Sequence, residues 1–196
     1  MASQEHSFAN PGPAGLGALA VACFLFFALL TGQVDHSAAP LLATWLVGGS
    51  VCQIVAGLIE LKDHNLSGGN LMLFFGAFFM LTGAVELITK TVLGANGIAF
   101  DGRIDGWAWL TCLLVLVGFT PCYLKANKVF FFTVLVVDVG VLFLALADLK
   151  IAPFLGVYAG WALLIAGFGA LYLVAATLIN TTFGKSIVPL PAPFVK

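Results

Sequence analysis

Six long apolar blocks, parted only by short polar or glycine-rich stretches, decide what this chain can become. A helix needs about 20 mostly apolar residues to cross a bilayer, and the blocks are of that size. Of the 196 residues 61% are apolar and only 9% are charged, with mean hydropathy +1.09. A soluble domain carries roughly 25% charged residues, so this composition cannot cover a water-facing surface. The eight Lys/Arg and nine Asp/Glu sit almost entirely between the blocks. The fold class is therefore an all-α, polytopic membrane protein with six transmembrane helices. The short loops leave no room for an extramembrane domain, so transport, channel activity or a small intramembrane enzyme remain.

The blocks place helices over roughly 13–32, 39–61, 70–93, 107–123, 129–149 and 154–179, in one domain over 1–196 with short extended tails. Pro189, Pro191 and Pro193 keep the last stretch out of helix. Trp107 and Trp109 stand where interfacial aromatics would. Lys62, Lys125, Lys128, Lys185 and Lys196 fall on one side, and Lys90, Arg103 and Lys150 on the other. That bias puts both termini in the cytoplasm, with the chain integral to the cell membrane. The segment Met1 to Ala9 has no Lys or Arg, so it lacks the n-region of a signal peptide and the first block is expected to stay.

Charge and cysteine usage exclude several partners. A formal net charge of −1 without a basic cluster argues against nucleic acid and against a polybasic lipid-binding patch. Cys23, Cys52, Cys112 and Cys122 lie inside apolar blocks at unrelated spacings, which reads as small apolar filler, with no metal site and no cofactor implied. His6, His36 and His64 lie in terminal or loop segments. An intramembrane enzyme would need a nucleophile and base or metal ligands at membrane depth; no helix carries a histidine, and HExxH and GxSxG are missing.

The first helix opens with Asn10-Pro11-Gly12-Pro13-Ala14-Gly15-Leu16-Gly17. Prolines suit a first helical turn because their missing N–H groups cost nothing there. Asn10 is a good capping residue, and the glycines expose backbone N–H groups at the positive end of the helix dipole. That combination reads as a carboxylate site or as an ordinary capped helix start. Small residues, such as Gly48/Gly49, Gly76/Gly83 and Gly156/Gly160, supply faces for close helix packing.

Asn-Pro-x-Pro-x-Gly-Leu before the first of six helices resembles the motif of the acetate uptake transporter family, the succinate–acetate permeases. The stretch from Gly48-Gly49 through Gln53 and Ala56-Gly57 to Glu60 resembles a second run of that family. Gly160-Trp161, Tyr172, Asn180, Phe183-Gly184-Lys185 and Pro189 extend the likeness over nearly the whole chain. The resemblance implies a homohexamer of six-helix protomers, each with its own pathway, taking up acetate and other short carboxylates, in some members succinate, with protons. It places substrate contacts on Asn10, Pro11, Pro13, Gly15, Leu16, Gln53 and Glu60. Its constriction falls on Leu19, Phe75 and Val134, where the family usually has Phe, Tyr and Leu; the departures leave room for a bulkier monocarboxylate.

Asp138 stands near the middle of the fifth helix, in Val136-Val137-Asp138-Val139-Gly140. A charge at that depth costs about 2.5–3.5 kcal/mol on insertion scales, so it faces the bundle or a watery path. It is either a proton site or a packing hydrogen bond. Glu86 and Lys90 are spaced as an i,i+4 pair. A carboxylate crossing a dry ring needs its hydration replaced, by backbone N–H groups near Asn10 and amide donors such as Gln53. Alternatively the acid crosses protonated. The competing function is a proton-gated urea or short-amide channel, and a third reading is a structural or receptor-like membrane protein without flux.

Overall fold

The computed structural model describes residues 8–195. Six helices long and apolar enough to cross a membrane run over α1 Gly12–Leu30, α2 His36–Lys62, α3 Leu66–Ala95, α4 Arg103–Lys125, α5 Lys128–Asp148 and α6 Leu155–Phe183. Among the described residues there is no strand. The chain is an integral membrane protein. Capping side chains explain the starts that differ from hydropathy alone. Asn65 accepts from the Gly68 amide at 3.1 Å, so α3 begins at Leu66 rather than at Asn70. Asn127 accepts from the Phe130 amide at 3.0 Å and opens α5.

The helices form a ring in which α1 packs on α2 and α6, α2 on α3, and α5 on α4 and α6. Glycines set the closest approaches. A Cβ at Gly57 would lie 2.9 Å from the Gly69 carbonyl oxygen, so α2 and α3 nearly touch backbone to backbone. Gly160 of α6 receives Leu30 of α1 and the Thr31 that follows it, and Gly167 receives Phe24 of α1. Gly49 packs under Met80, whereas its neighbour Gly48 faces open space.

The seam between α3 and α4 is different, because side chains rather than backbones close it. Tyr123 donates to the Ser67 carbonyl at 3.2 Å at one end. Phe79 meets Trp109 at 5.3 Å in the middle. Lys90 pairs with Glu86 at 2.5 Å and with Asp105 at 2.6 Å at the other end. Trp107 is 62% exposed, but Trp109 is buried in this seam and is not an interfacial residue. In the loop beyond, Arg103 bonds Asp101 at 2.6 Å and holds that carboxyl down at about 2.

Halfway along α3 the chain widens into a π-turn, Phe75–Leu81. The Thr82 backbone N–H donates to the Ala77 carbonyl five residues back, and its hydroxyl donates to the same oxygen at 3.0 Å. Such turns re-aim side chains and are frequent at functional sites; here Phe75 and Phe79 stack at 4.3 Å toward the ring interior. The last stretch is not helical and folds back over the ends of α4 to α6. Asn180 accepts from the Ile187 and Val188 amides at 2.7 and 2.9 Å, and Tyr172 donates to the Pro189 carbonyl at 2.6 Å. Phe194 and Val195 donate to the Leu124 carbonyl. Lys196 and His6 lie outside the described residues.

Candidate functional site

Three spaces succeed one another inside the ring, and their linings advance together along several helices. The first is a polar vestibule of about 350 Å3 bounded by Asn10, Pro13, Glu60, Asn65, Lys125 and Thr177, among others. It shares Leu16, Gly68, Met72, Tyr123 and Phe130 with a nearly apolar cavity of about 40 Å3. That cavity shares Leu19, Phe75 and Val137 with a second of about 40 Å3, lined further along by Phe26, Phe79, Trp109 and Leu144. Reading down α1 the walls pass from Pro13 through Leu16 and Leu19 to Phe26, and down α5 from Phe130 through Val137 to Leu144. A side chain that belongs to both cavities is a divider between them.

Among the described residues the vestibule is lined by one basic and one acidic side chain, Lys125 and Glu60. Glu60, in the last turn of α2, is 9% exposed and accepts from the Asn65 side-chain amide. A Cβ at Gly12 would lie 3.5 Å from Glu60 Oε1, so this carboxylate sits by the start of α1, where the helix dipole favours negative charge. The first turn of α1 is closed in on itself. Asn10 Oδ1 accepts from the Gly12 amide at 2.7 Å, and the Ala14 and Gly15 amides both reach the Pro11 carbonyl, at 3.0 and 3.3 Å. The expected cradle of free N–H groups is therefore not present, because Asn10 and Pro11 use them.

Gln53 and Asp138 face the first apolar cavity together. Gln53 is 3% exposed, and its Nε2 donates to the Gly15 carbonyl at 3.1 Å. That carbonyl can only accept, which fixes the amide and leaves Oε1 without a partner. One of the two amide N–H groups of Gln53 is thus used on α1, the second remains, and Oε1 is an acceptor without a partner. Asp138 is 7% exposed; Thr120 lies 2.5 Å from its Oδ2, while Oδ1 has no partner. Leu19 and Phe75 line both cavities as the third divider residue Val137 does, whereas Val134 lines only the cavity on the vestibule side. Gly15 and Leu16 line that same cavity, and Pro11 lines none of the three spaces. Sequence reasoning missed Lys125, whose only visible signal was its place at a loop, and Thr120, which reads as one more helix-end hydroxyl.

Residues 1–193 match the GPR1/FUN34/yaaH family. The chain belongs to that family. Among relatives, the glyoxylate pathway regulator of Yarrowia lipolytica is 30% identical over 201 residues, covering 98% of this chain and 72% of that protein. The succinate-acetate/proton symporter SatP of Escherichia coli K12 is 29% identical over 185 residues, 93% of this chain and 95% of that one. A solved structure of the bacterial acetate channel SatP superposes with a TM-score of 0.81 at 24% identity, over 93% of this chain and 99% of that one. The six-helix ring is the fold the family member shares.

Proposed function

We propose that this protein carries acetate and related short carboxylates, succinate among them, across the cell membrane, through a pathway inside each protomer and linked to protons. The observation that carries the reading is the run of vestibule, cavity, divider and second cavity along α1, α3 and α5. Its size agrees with a short solute. About 10–15 Å3 of such space holds one water-sized group, so a 40 Å3 cavity has room for about three. The relatives named for acetate and succinate support the substrate class.

In this reading Lys125, Asn65 and Asn10 draw the carboxylate into the vestibule while Glu60 balances the charge there. Pro11 and Pro13 set the first turn of α1, and Gly15, Leu16 and Gln53 bring the solute to the cavity. Leu19 and Phe75, with Val137 and after Val134, form the constriction, and Asp138 is the proton site. Both termini face the cytoplasm and six copies form a homohexamer set in lipid; these two statements rest on the lysine bias and on the family resemblance.

Labelled acetate uptake into proteoliposomes, with and without an inward proton gradient, tests the reading, with urea as a parallel solute. Gradient-stimulated acetate flux without urea flux is the expected result. Urea flux without acetate flux would assign the protein to the amide-channel class.

A further inference from the structure

The vestibule and the first cavity meet at Leu16, Gly68, Met72, Tyr123 and Phe130, which line both, just as Leu19, Phe75 and Val137 line both cavities further in. Tyr123 and Phe130 stand on either side of the α4–α5 connection, and their rings lie flat on each other at 4.8 Å and 12°. The Tyr123 hydroxyl donates to the Ser67 carbonyl at 3.2 Å, which ties the stack to α3. Met72, also of α3, reaches across to α1, where a Cβ at Gly15 would stand 2.7 Å from its sulfur. Leu16, Met72 and Tyr123 are all buried. A hydrated solute passes from vestibule to cavity only when these hydrocarbon surfaces part.

The stretch after α6 braces the same stack from outside. Asn180 sets its base, accepting from the Ile187 and Val188 amides and donating to the Val188 carbonyl at 2.8 Å. Leu190 packs, as Phe130 does, on the core cluster of Leu16, Ala20, Ala170 and Leu173. The Pro191 carbonyl then accepts from the Lys128 amide at 3.3 Å, and the Phe194 and Val195 amides reach the Leu124 carbonyl at 3.1 and 3.0 Å. Leu124 follows Tyr123, and Lys128 stands just before Phe130, so the stretch bonds both limbs of the connection. Phe194 meets Phe131 edge-on at 5.4 Å, with the Lys128 ammonium 4.9 Å above its ring.

We propose that Tyr123 and Phe130, with Leu16 and Met72, form a second gate at the vestibule end of the pathway, and that residues 186–195 are the strap that holds it shut. The inference rests on the transport reading above and adds a step to it. The first cavity is closed at both ends, so a solute inside it is enclosed, and either gate can open while the other stays closed. The strap suits release: Ile187, Phe194 and Val195 are exposed, and its ties are a few hydrogen bonds and ring contacts that can part while the helices stay folded.

Thiol accessibility reads the gate, because a cysteine can mark each space. Cys122 lines the vestibule, Cys23 lines the second cavity, and T133C puts a thiol in the wall of the first. The full chain carrying T133C, in detergent, is treated with an anionic methanethiosulfonate, and labelling is read site by site by mass spectrometry. Cys122 should react promptly, and Cys23 and the thiol of T133C slowly. Y123F frees the stack from Ser67. N180A, at a residue that lines none of the three spaces, releases the base of the strap. Each added change should speed labelling at T133C about tenfold, the order of one lost hydrogen bond, and leave Cys23 slow. Should Y123F not assemble, N180A decides. A response at T133C in a protein that takes up no acetate in proteoliposomes would keep the gate and remove the carboxylate reading. Faster labelling with Y123F alone would overturn the strap. Labelling at T133C that is prompt from the start, that neither change speeds, or that rises equally at Cys23 would overturn the gate.

Discussion

Phe75 stands in the wall of both cavities, and its ring lies flat on Phe79 at 4.3 Å. Shortening it opens the divider without touching the polar groups on either side. F75L should raise uptake of a branched acid relative to acetate by about tenfold, which is 1.4 kcal/mol off its barrier. F75A would also leave a void and cost about 3–5 kcal/mol of stability, so the leucine variant is the cleaner measurement. Asn10 makes a contrasting case, because its oxygen is held by the Gly12 amide. N10A should cost about 1 kcal/mol through the lost bond from the Gly12 amide, and should lower acetate uptake. Uptake per assembled protein at the wild-type level would remove Asn10 from the binding site. What the sequence revealed at this scale was residue type rather than direction. Asp138 stands out in any reading of α5, but Thr120 is eighteen residues away on another helix and nothing local pairs them. Gln53 is recognisable as a buried amide, yet which end faces the cavity depends on the Gly15 carbonyl across the α1–α2 contact.

At the scale of helices, packing is decided by where a Cβ would collide. At Gly57 the obstacles are the Gly69 oxygen at 2.9 Å and the Leu73 amide nitrogen at 3.0 Å, backbone atoms that cannot swing aside. G57A should therefore push α2 from α3 and lower stability by about 1–3 kcal/mol, read as an earlier melting transition in detergent. G48A, at an open position, should leave the transition where it is. The six helices themselves were legible because hydropathy acts over whole blocks and needs no partner. The π-turn at Phe75–Leu81 was not, since Phe-Gly-Ala-Phe-Phe-Met-Leu reads equally well as ordinary helix. Trp107 and Trp109 also read alike, although two residues' rotation sends one outward and the other into the seam.

For the whole molecule the telling feature is the side-chain closure between α3 and α4. Lys90 is the cation between Glu86 and Asp105, all three partly buried. K90M would leave two carboxylates facing each other with no counter-charge, and the ring should loosen at this seam. The loss is well under the 3–5 kcal/mol of a fully buried broken pair, because water still reaches these groups. Melting curves of K90M and wild type in the same detergent would read the loss.

The two apolar cavities on either side of Leu19, Phe75 and Val137 also bear on energy conservation. Protons leak along unbroken files of hydrogen-bonded water, and the hydrocarbon of Leu19, Phe75 and Val137 stands between the two spaces where such a file would have to pass. A membrane crowded with this protein would on that ground keep its ion gradient.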